Sequence, residues 1–198
     1  LVPKAPLSML CSVHKRIALL SACFLLVSCG GSGDTVACDE RYWDGTVGTC
    51  LPNGWEILNA ETLRQRGVPD ETIAAFQSSE SFSGQFPTVA VTRERLANVV
   101  DAAQYSNANM RSVEVLDGYE HIDTREFTID GEKVSLHVFT GQPIEGEPRR
   151  RFYQVSTTVE DTGYTLTAVS PVSIAKTLED NLMLILGEMT FKEPVVEE

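Results

Sequence analysis

Few residues in this sequence have the types and spacing for chemistry. His121 and Asp123 lie two apart in a stretch of alternating character, so an extended backbone would point both side chains to one face. His137 would reach that face from the neighbouring strand, and two imidazoles with a carboxylate are ligands for a divalent metal ion. A further ligand would come from Glu120 or Asp130. The same face could take a small molecule, or the histidines could be ordinary surface residues. Ser173-Ile174-Ala175-Lys176 has the Ser-x-x-Lys spacing that sets a lysine one helical turn from a serine nucleophile. Its companion motifs Ser-Asp-Asn and Lys-Thr-Gly are absent, and Ser173 reads better as a helix cap. Asp161-Thr162-Gly163 matches the aspartic-protease triplet, whose chemistry needs two aspartates sharing a proton. The single copy falls at an expected hairpin tip, with Gly163 suited to a left-handed turn position. With no glycine-rich phosphate loop, His-Glu-x-x-His or Gly-x-Ser-x-Gly, no catalytic residue is assigned, no cofactor is expected, and the chain is read as non-enzymatic.

Charge narrows the partners. Removing Lys4, Lys15 and Arg16, which fall in the first 28 residues, leaves 13 lysines and arginines against 28 acids, a net charge of −15. Such a chain repels nucleic acid unless it concentrates a basic face. The basic run Arg149-Arg150-Arg151 sits beside Glu145 and Glu147 and reads as a solvated, locally paired loop. No nucleic-acid partner is expected. At 42% apolar and 22% charged, the composition is that of a folded globular protein.

The amino end carries an address. His14, Lys15 and Arg16 precede eleven residues, Ile17 to Val27, of which Ser21 is the polar one. This is the length of a secretory h-region and short of the about 17 to 25 residues that a membrane span needs. Met9 is a better start than Leu1. Leu26-Val27-Ser28-Cys29 resembles the bacterial lipobox, and "LLVSCGGSG" as a whole looks like a bacterial lipoprotein signal. The resemblance implies cleavage before Cys29, a diacylglyceryl thioether on its sulfur, and membrane anchoring through that lipid. Two or three acyl chains hold firmly, each buried methylene contributing about 0.8 kcal/mol. Gly30-Gly31-Ser32-Gly33 then forms a flexible tether, and Gly30 in place of aspartate favours the outer membrane where one exists. The expected location is the cell envelope, on the outer face of the cytoplasmic membrane or in the outer membrane.

With Cys11 and Cys23 removed with the signal and Cys29 acylated, Cys38 and Cys50 remain as a pair in an oxidising compartment. A disulfide between them would contribute roughly 3 kcal/mol on the chain-entropy account. Structural zinc prefers cysteines two to four residues apart with further ligands, and these are lacking. Tyr42 and Trp43 inside the loop would either anchor a partner or pack over the staple.

The elements that would position these residues follow from periodicity. Pro52-Asn53-Gly54 is a turn before a strand at Trp55 and Ile57. Asn59 caps a short helix that Gly67 stops, and Pro69 opens a second short helix. Phe86 to Val91 reads as a strand. Thr92 then caps a helix bearing Leu96, Val99, Val100 and Ala103, ended by Asn107-Ala108-Asn109. From Ser112 the period is two. Val113 and Val115 alternate, and Phe127 and Ile129 lead through Asp130-Gly131 to Val134, Leu136 and Val138, the strongest hairpin signal in the chain. Tyr153, Val155, Thr157 and Val159 lead through a second turn to Tyr164, Leu166 and Ala168. Pro171 or Ser173 opens a last helix with Ile174, Leu178, Leu182 and Ile185 on a wide apolar face. Gly187 stops it, and Met189-Thr190-Phe191 returns as a short edge strand.

This order predicts an α+β fold, a mostly antiparallel sheet of about six strands flanked by helices. The entry Pro52-x-Gly54-Trp55, the hairpin "TREFTIDGEKVSLHVF", the return "RFYQVSTTVEDTGYTLTAVSP" and the ending "ILGEMTFK" resemble the PsbP/DcrB-like family, whose domain is an α/β/α sandwich. The resemblance covers residues 51–192 and implies a non-enzymatic accessory or partner-binding role, with no catalytic residues to carry over. The resulting organisation is a signal over 1–28, an anchor, tether and disulfide loop over 29–50, a PsbP/DcrB-like domain over 51–193 and an acidic tail over 194–198. The expected protein is a cell-envelope lipoprotein that binds an envelope protein partner; the alternatives are a lipoprotein that binds a small molecule or metal ion and, behind it, a hydrolase using Ser173 and Lys176.

Overall fold

The computed structural model describes residues 36–193, which belong to the compact unit Asp34–Glu198. The signal, Cys29, the tether through Thr35 and the tail at 194–198 lie outside the described residues. Strand β1 (Glu40–Trp43) pairs with β2 (Gly48–Leu51) as a small hairpin. The main sheet holds β3 (Trp55–Ile57), β4 (Thr72–Ser78), β5 (Thr88–Arg95), β6 (Asp117–Ile129), β7 (Glu132–Gln142), β8 (Arg150–Val159) and β9 (Thr162–Pro171). Its order is β3-β4-β5-β9-β8-β7-β6 and every pairing is antiparallel, seven strands where about six were expected. Helices α1 (Ala60–Gln65), α2 (Ala102–Val113) and α3 (Lys176–Gly187) complete the α+β fold.

The two long hairpins follow the period-two pattern. Asp130 and Gly131 at the β6–β7 turn have φ of 52° and 85°, the left-handed values that a tight hairpin turn demands. In β7 and β9, Val134, Leu136, Val138, Tyr164, Leu166 and Ala168 point to one face. There they join Leu178, Leu182, Ile185 and Leu186 of α3 in the main core. The residues between them face α2, whose Tyr105 lies on Gly163 and whose hydroxyl meets Thr165 Oγ1 at 3.3 Å. Helices on both faces make this an α/β/α sandwich.

Four expected elements are corrected. The second short helix, from Pro69, is instead strand β4. Ala74, Ala75 and Phe76 are all buried, so the segment shows no alternation, and pairing on both sides overrides its helical reading. The helix expected from Thr92 begins ten residues later. Arg95 still pairs with Thr162, Val99 is 78% exposed, and Asp101 caps α2 by accepting from Gln104 N at 2.8 Å. Asn107 and Asn109 therefore lie inside α2, and Val113 ends it rather than opening a strand. Helix α3 starts with Ala175, not Ser173, in the N-cap position. Finally, Met189–Phe191 forms no strand but one bridge, Thr190 to Gly48.

Cys38 and Cys50 form a disulfide with Cα atoms 5.6 Å apart. The hairpin they close is built into the domain rather than hanging before Leu51. Val47, Cys50 and Leu51 have no exposed surface, Thr49 Oγ1 donates to Ile185 O at 2.7 Å, and Gly48 and Thr190 exchange backbone bonds of 2.8 and 2.9 Å. Tyr42 packs edge-on against Phe76, centroids 5.1 Å apart. Trp43 lies half-buried over Gly48, where a Cβ would meet its Cε3 at 2.8 Å, so it packs on the hairpin.

Candidate functional site

The histidines meet because of an irregularity in β6, the edge strand. His121 pairs with Phe139 of β7, but Asp123 pairs with Val138 and Thr124 with His137, leaving Ile122 without a partner. This β-bulge shifts the register by one, and each later side chain changes face. His121 and Thr124 thus share the α2 side with His137, and Asp123 is turned to the α3 side. There its Oδ2 lies 3.2 Å from Arg125 Nε, and Arg125 reaches Glu179 of α3 at 3.8 Å.

The expected group of His121, Asp123 and His137 is therefore a pair. The two imidazoles stack with centroids 5.6 Å apart and planes 24° apart. Glu120 and Asp130, the further ligands considered, are engaged elsewhere. Glu120 pairs with Arg149 at 3.1 Å, and Asp130 accepts from Thr190 Oγ1 and, at 2.8 Å, from Phe191 N. Among the described residues no three metal-ligating side chains gather at one point.

What the pair does form is the floor of a groove of about 800 Å³ between α2 and the β6–β7 ribbon. Tyr119, His121, Thr124 and His137 line the sheet side, while α2 contributes Gln104, Asn107 and Arg111, and its C-cap Glu114 follows. His137 is 2% exposed, its ring 4.8 Å from that of Phe139, which stacks in turn on Phe152 at 4.9 Å. Its Nε2 lies 3.1 Å from the Tyr119 hydroxyl, and its Nδ1 has no hydrogen-bond partner among the described residues. Burial, reinforced by His121 and opposed by Glu114, lowers the His137 pKa. Burial, with Glu114 adding to it, raises that of Tyr119. His121 Nε2 lies 2.8 Å from Thr124 Oγ1. Tyr119 was legible, two residues before His121 on the same face. Arg111 and Glu114 were hidden because the helix was expected to end at Asn109.

The other chemical-looking strings have structural explanations. Ser173 is exposed and precedes the helix, and Lys176 Nζ bonds Asp180 at 2.7 Å, so no helical turn joins serine and lysine. Asp161 sits in the β8–β9 turn, pairing with Arg95 at 3.1 Å. Gly163 is not the left-handed residue there; Glu160 has the positive φ, 55°, and Gly163 lies in β9 beneath the Tyr105 ring. The arginine run is dispersed. Arg149 donates to Gly118 O at 2.7 Å, Arg150 pairs with Glu147, and Arg151 lies 5.5 Å over the Tyr153 ring.

By sequence, no family model and no curated protein matches the chain. Solved structures do share its fold. The solution structure of the cyanobacterial PsbP protein CyanoP from Synechocystis sp. PCC 6803 superposes with a TM-score of 0.54 at 17% identity, covering 84% of this chain and 99% of CyanoP. LpqN of Mycobacterium tuberculosis, described as involved in cell envelope biogenesis, gives 0.55 at 12% identity over 76% of this chain and 88% of its own. PA94 of Pseudomonas aeruginosa, of unknown function, gives 0.52 at 13% identity over 82% and 99%. At these identities the likeness establishes a PsbP-like fold.

Proposed function

We propose that this chain is a lipid-anchored cell-envelope protein whose PsbP-like domain is a non-enzymatic module that binds an envelope protein. The observation that carries the reading is the fold, shared with CyanoP over 84% of this chain and with the envelope-biogenesis protein LpqN over 76%. The lipobox at Leu26–Cys29 supports it from the sequence side. Tethering holds a binding domain at high effective concentration beside membrane partners, so a weak contact surface suffices. The test is affinity purification of the tagged full-length chain from gently crosslinked membranes. One envelope protein recovered in stoichiometric amount supports the reading, and intact bait recovered alone opposes it.

A second reading is favoured by the groove. Two stacked histidines, a tyrosine and an arginine around about 800 Å³ provide a place for a small ligand or metal ion. Titration of the purified protein with divalent metal salts, followed through the histidine ring protons, tests the metal form; an absence of saturable shifts removes it.

A further inference from the structure

We propose that the groove between α2 and the β6–β7 ribbon binds a small anion, a carboxylate or phosphate group held by Arg111, Tyr119 and His121. The inference deepens the small-ligand reading and is independent of partner binding.

Charge selects the ligand. In a chain with a strong excess of acids, this groove gathers both histidines that follow the signal together with Arg111. Arg111 has no ion pair among the described residues, whereas six other arginines do. A guanidinium free to present its planar fork is the side chain best suited to a carboxylate or phosphate. Glu114 is the carboxylate on the groove lining, and Glu126, farther along the same face of β6, is held by Lys133 of β7 at 3.0 Å.

Hydrogen bonding supplies a second donor. Buried His137 has one ring nitrogen against the Tyr119 hydroxyl and the other without a partner. A buried N–H left without an acceptor is rarer in folded proteins than an acceptor left bare. The favoured tautomer therefore keeps the proton on Nε2, donating to the Tyr119 oxygen, and leaves Nδ1 as the bare acceptor. The Tyr119 hydroxyl is then free to donate its own proton into the groove. His121, exposed and stacked on His137, offers a third donor from the same strand. Arg111 from α2 and Tyr119 and His121 from β6 thus line one space with donors.

Protonation follows from the same geometry. Stacked imidazoles resist carrying charge together, and an anion beside them relieves that repulsion, so binding takes up a proton and strengthens as pH falls. Arg111 is the fixed cation of the lining, and Glu114 is its carboxylate.

The test uses the full chain in neutral detergent at constant ionic strength. Its histidine ring signals are followed by NMR during separate titrations with sodium phosphate and sodium succinate at about pH 5.5 and about pH 8. The expected result is a saturable shift of both histidines at the lower pH, with affinity about tenfold or more weaker at the higher. Arg111→Gln is expected to weaken binding about tenfold and Tyr119→Phe about fivefold, with the amide signals of β8 and β9 unchanged. A response to phosphate alone or to succinate alone supports the inference and identifies the group. No saturable shift with either anion at the lower pH, or undiminished affinity in Arg111→Gln, overturns it. If zinc chloride or a neutral solute shifts the histidines and neither anion does, the groove remains a ligand site and the anion inference falls.

Discussion

A methyl group at position 163 would lie 2.4 Å from Tyr105 Cζ, closer than any real contact allows. The glycine is there for the approach of α2, whose buried residues are Tyr105 and Ser106. Gly163→Ala is expected to cost about 2 kcal/mol and to lift α2 from the sheet. Urea denaturation would give the first, and hydrogen exchange, with protection lost in 102–113 and retained in α3, the second. Another prediction concerns His137. Because burial lowers its folded-state pKa, the unfolded chain takes up that proton at a higher pH than the folded one does. The stability tied to the neutral ring is complete above about pH 6.5 and is lost as pH falls through the lower folded value. His137→Phe is therefore expected to show a flatter fall in unfolding free energy between about pH 7.5 and 5 than the unaltered protein, measured by denaturant midpoints across that range. The Tyr42 hydroxyl, pushed up to about 12 by burial and then by Asp44, stays protonated over the same range.

Among the elements, the disulfide hairpin departs most from its expected place. The sequence marks Cys38 and Cys50 as a staple, yet nothing local shows that Thr49 reaches Ile185 or that Gly48 bridges Thr190, far along the chain. Because those bonds do not depend on the sulfur bridge, the staple and the docking of β2 are separable. Replacing both cysteines with alanine is expected to lower stability by about 3 kcal/mol, read from urea midpoints, while the amides of Gly48 and Thr49 keep their exchange protection. Loss of that protection would mean the bridge holds the hairpin down. The edge strand β6 shows a different economy. Its bulge and its charged residues Glu120, Asp123, Arg125 and Glu126 discourage another strand from pairing there. The bulge also brings Thr124 beside His121 and carries Asp123 away.

At the scale of the whole molecule, the proposed reading divides the work between the domain and a lipid on Cys29. Among the described residues no helix is long and apolar enough to cross a membrane. The proposed reading puts attachment on Cys29. Cys29→Ser is expected to move the protein from the membrane fraction to the supernatant. High salt should leave the unaltered protein in place, because a net charge of −15 over residues 29–198 gives it no electrostatic hold on anionic lipid. Release of the unaltered chain by salt would contradict this. Residue pattern is enough to specify the α+β class, the β6–β7 and β8–β9 hairpins, the apolar face of α3 and the pairing of Cys38 with Cys50. Each of these is local: alternation with one buried face, a turn needing positive φ at Asp130 and Gly131, a repeat of three and four, a short ring. Long-range packing makes 72–78 a strand, since a run buried on both sides has no period to read. It also decided where α2 begins, because Tyr105 needed Gly163 of a distant strand to lie against. And it separated Asp123 from His121, because one unpaired residue, Ile122, reverses every later side chain, and where it falls is set by the partner strand.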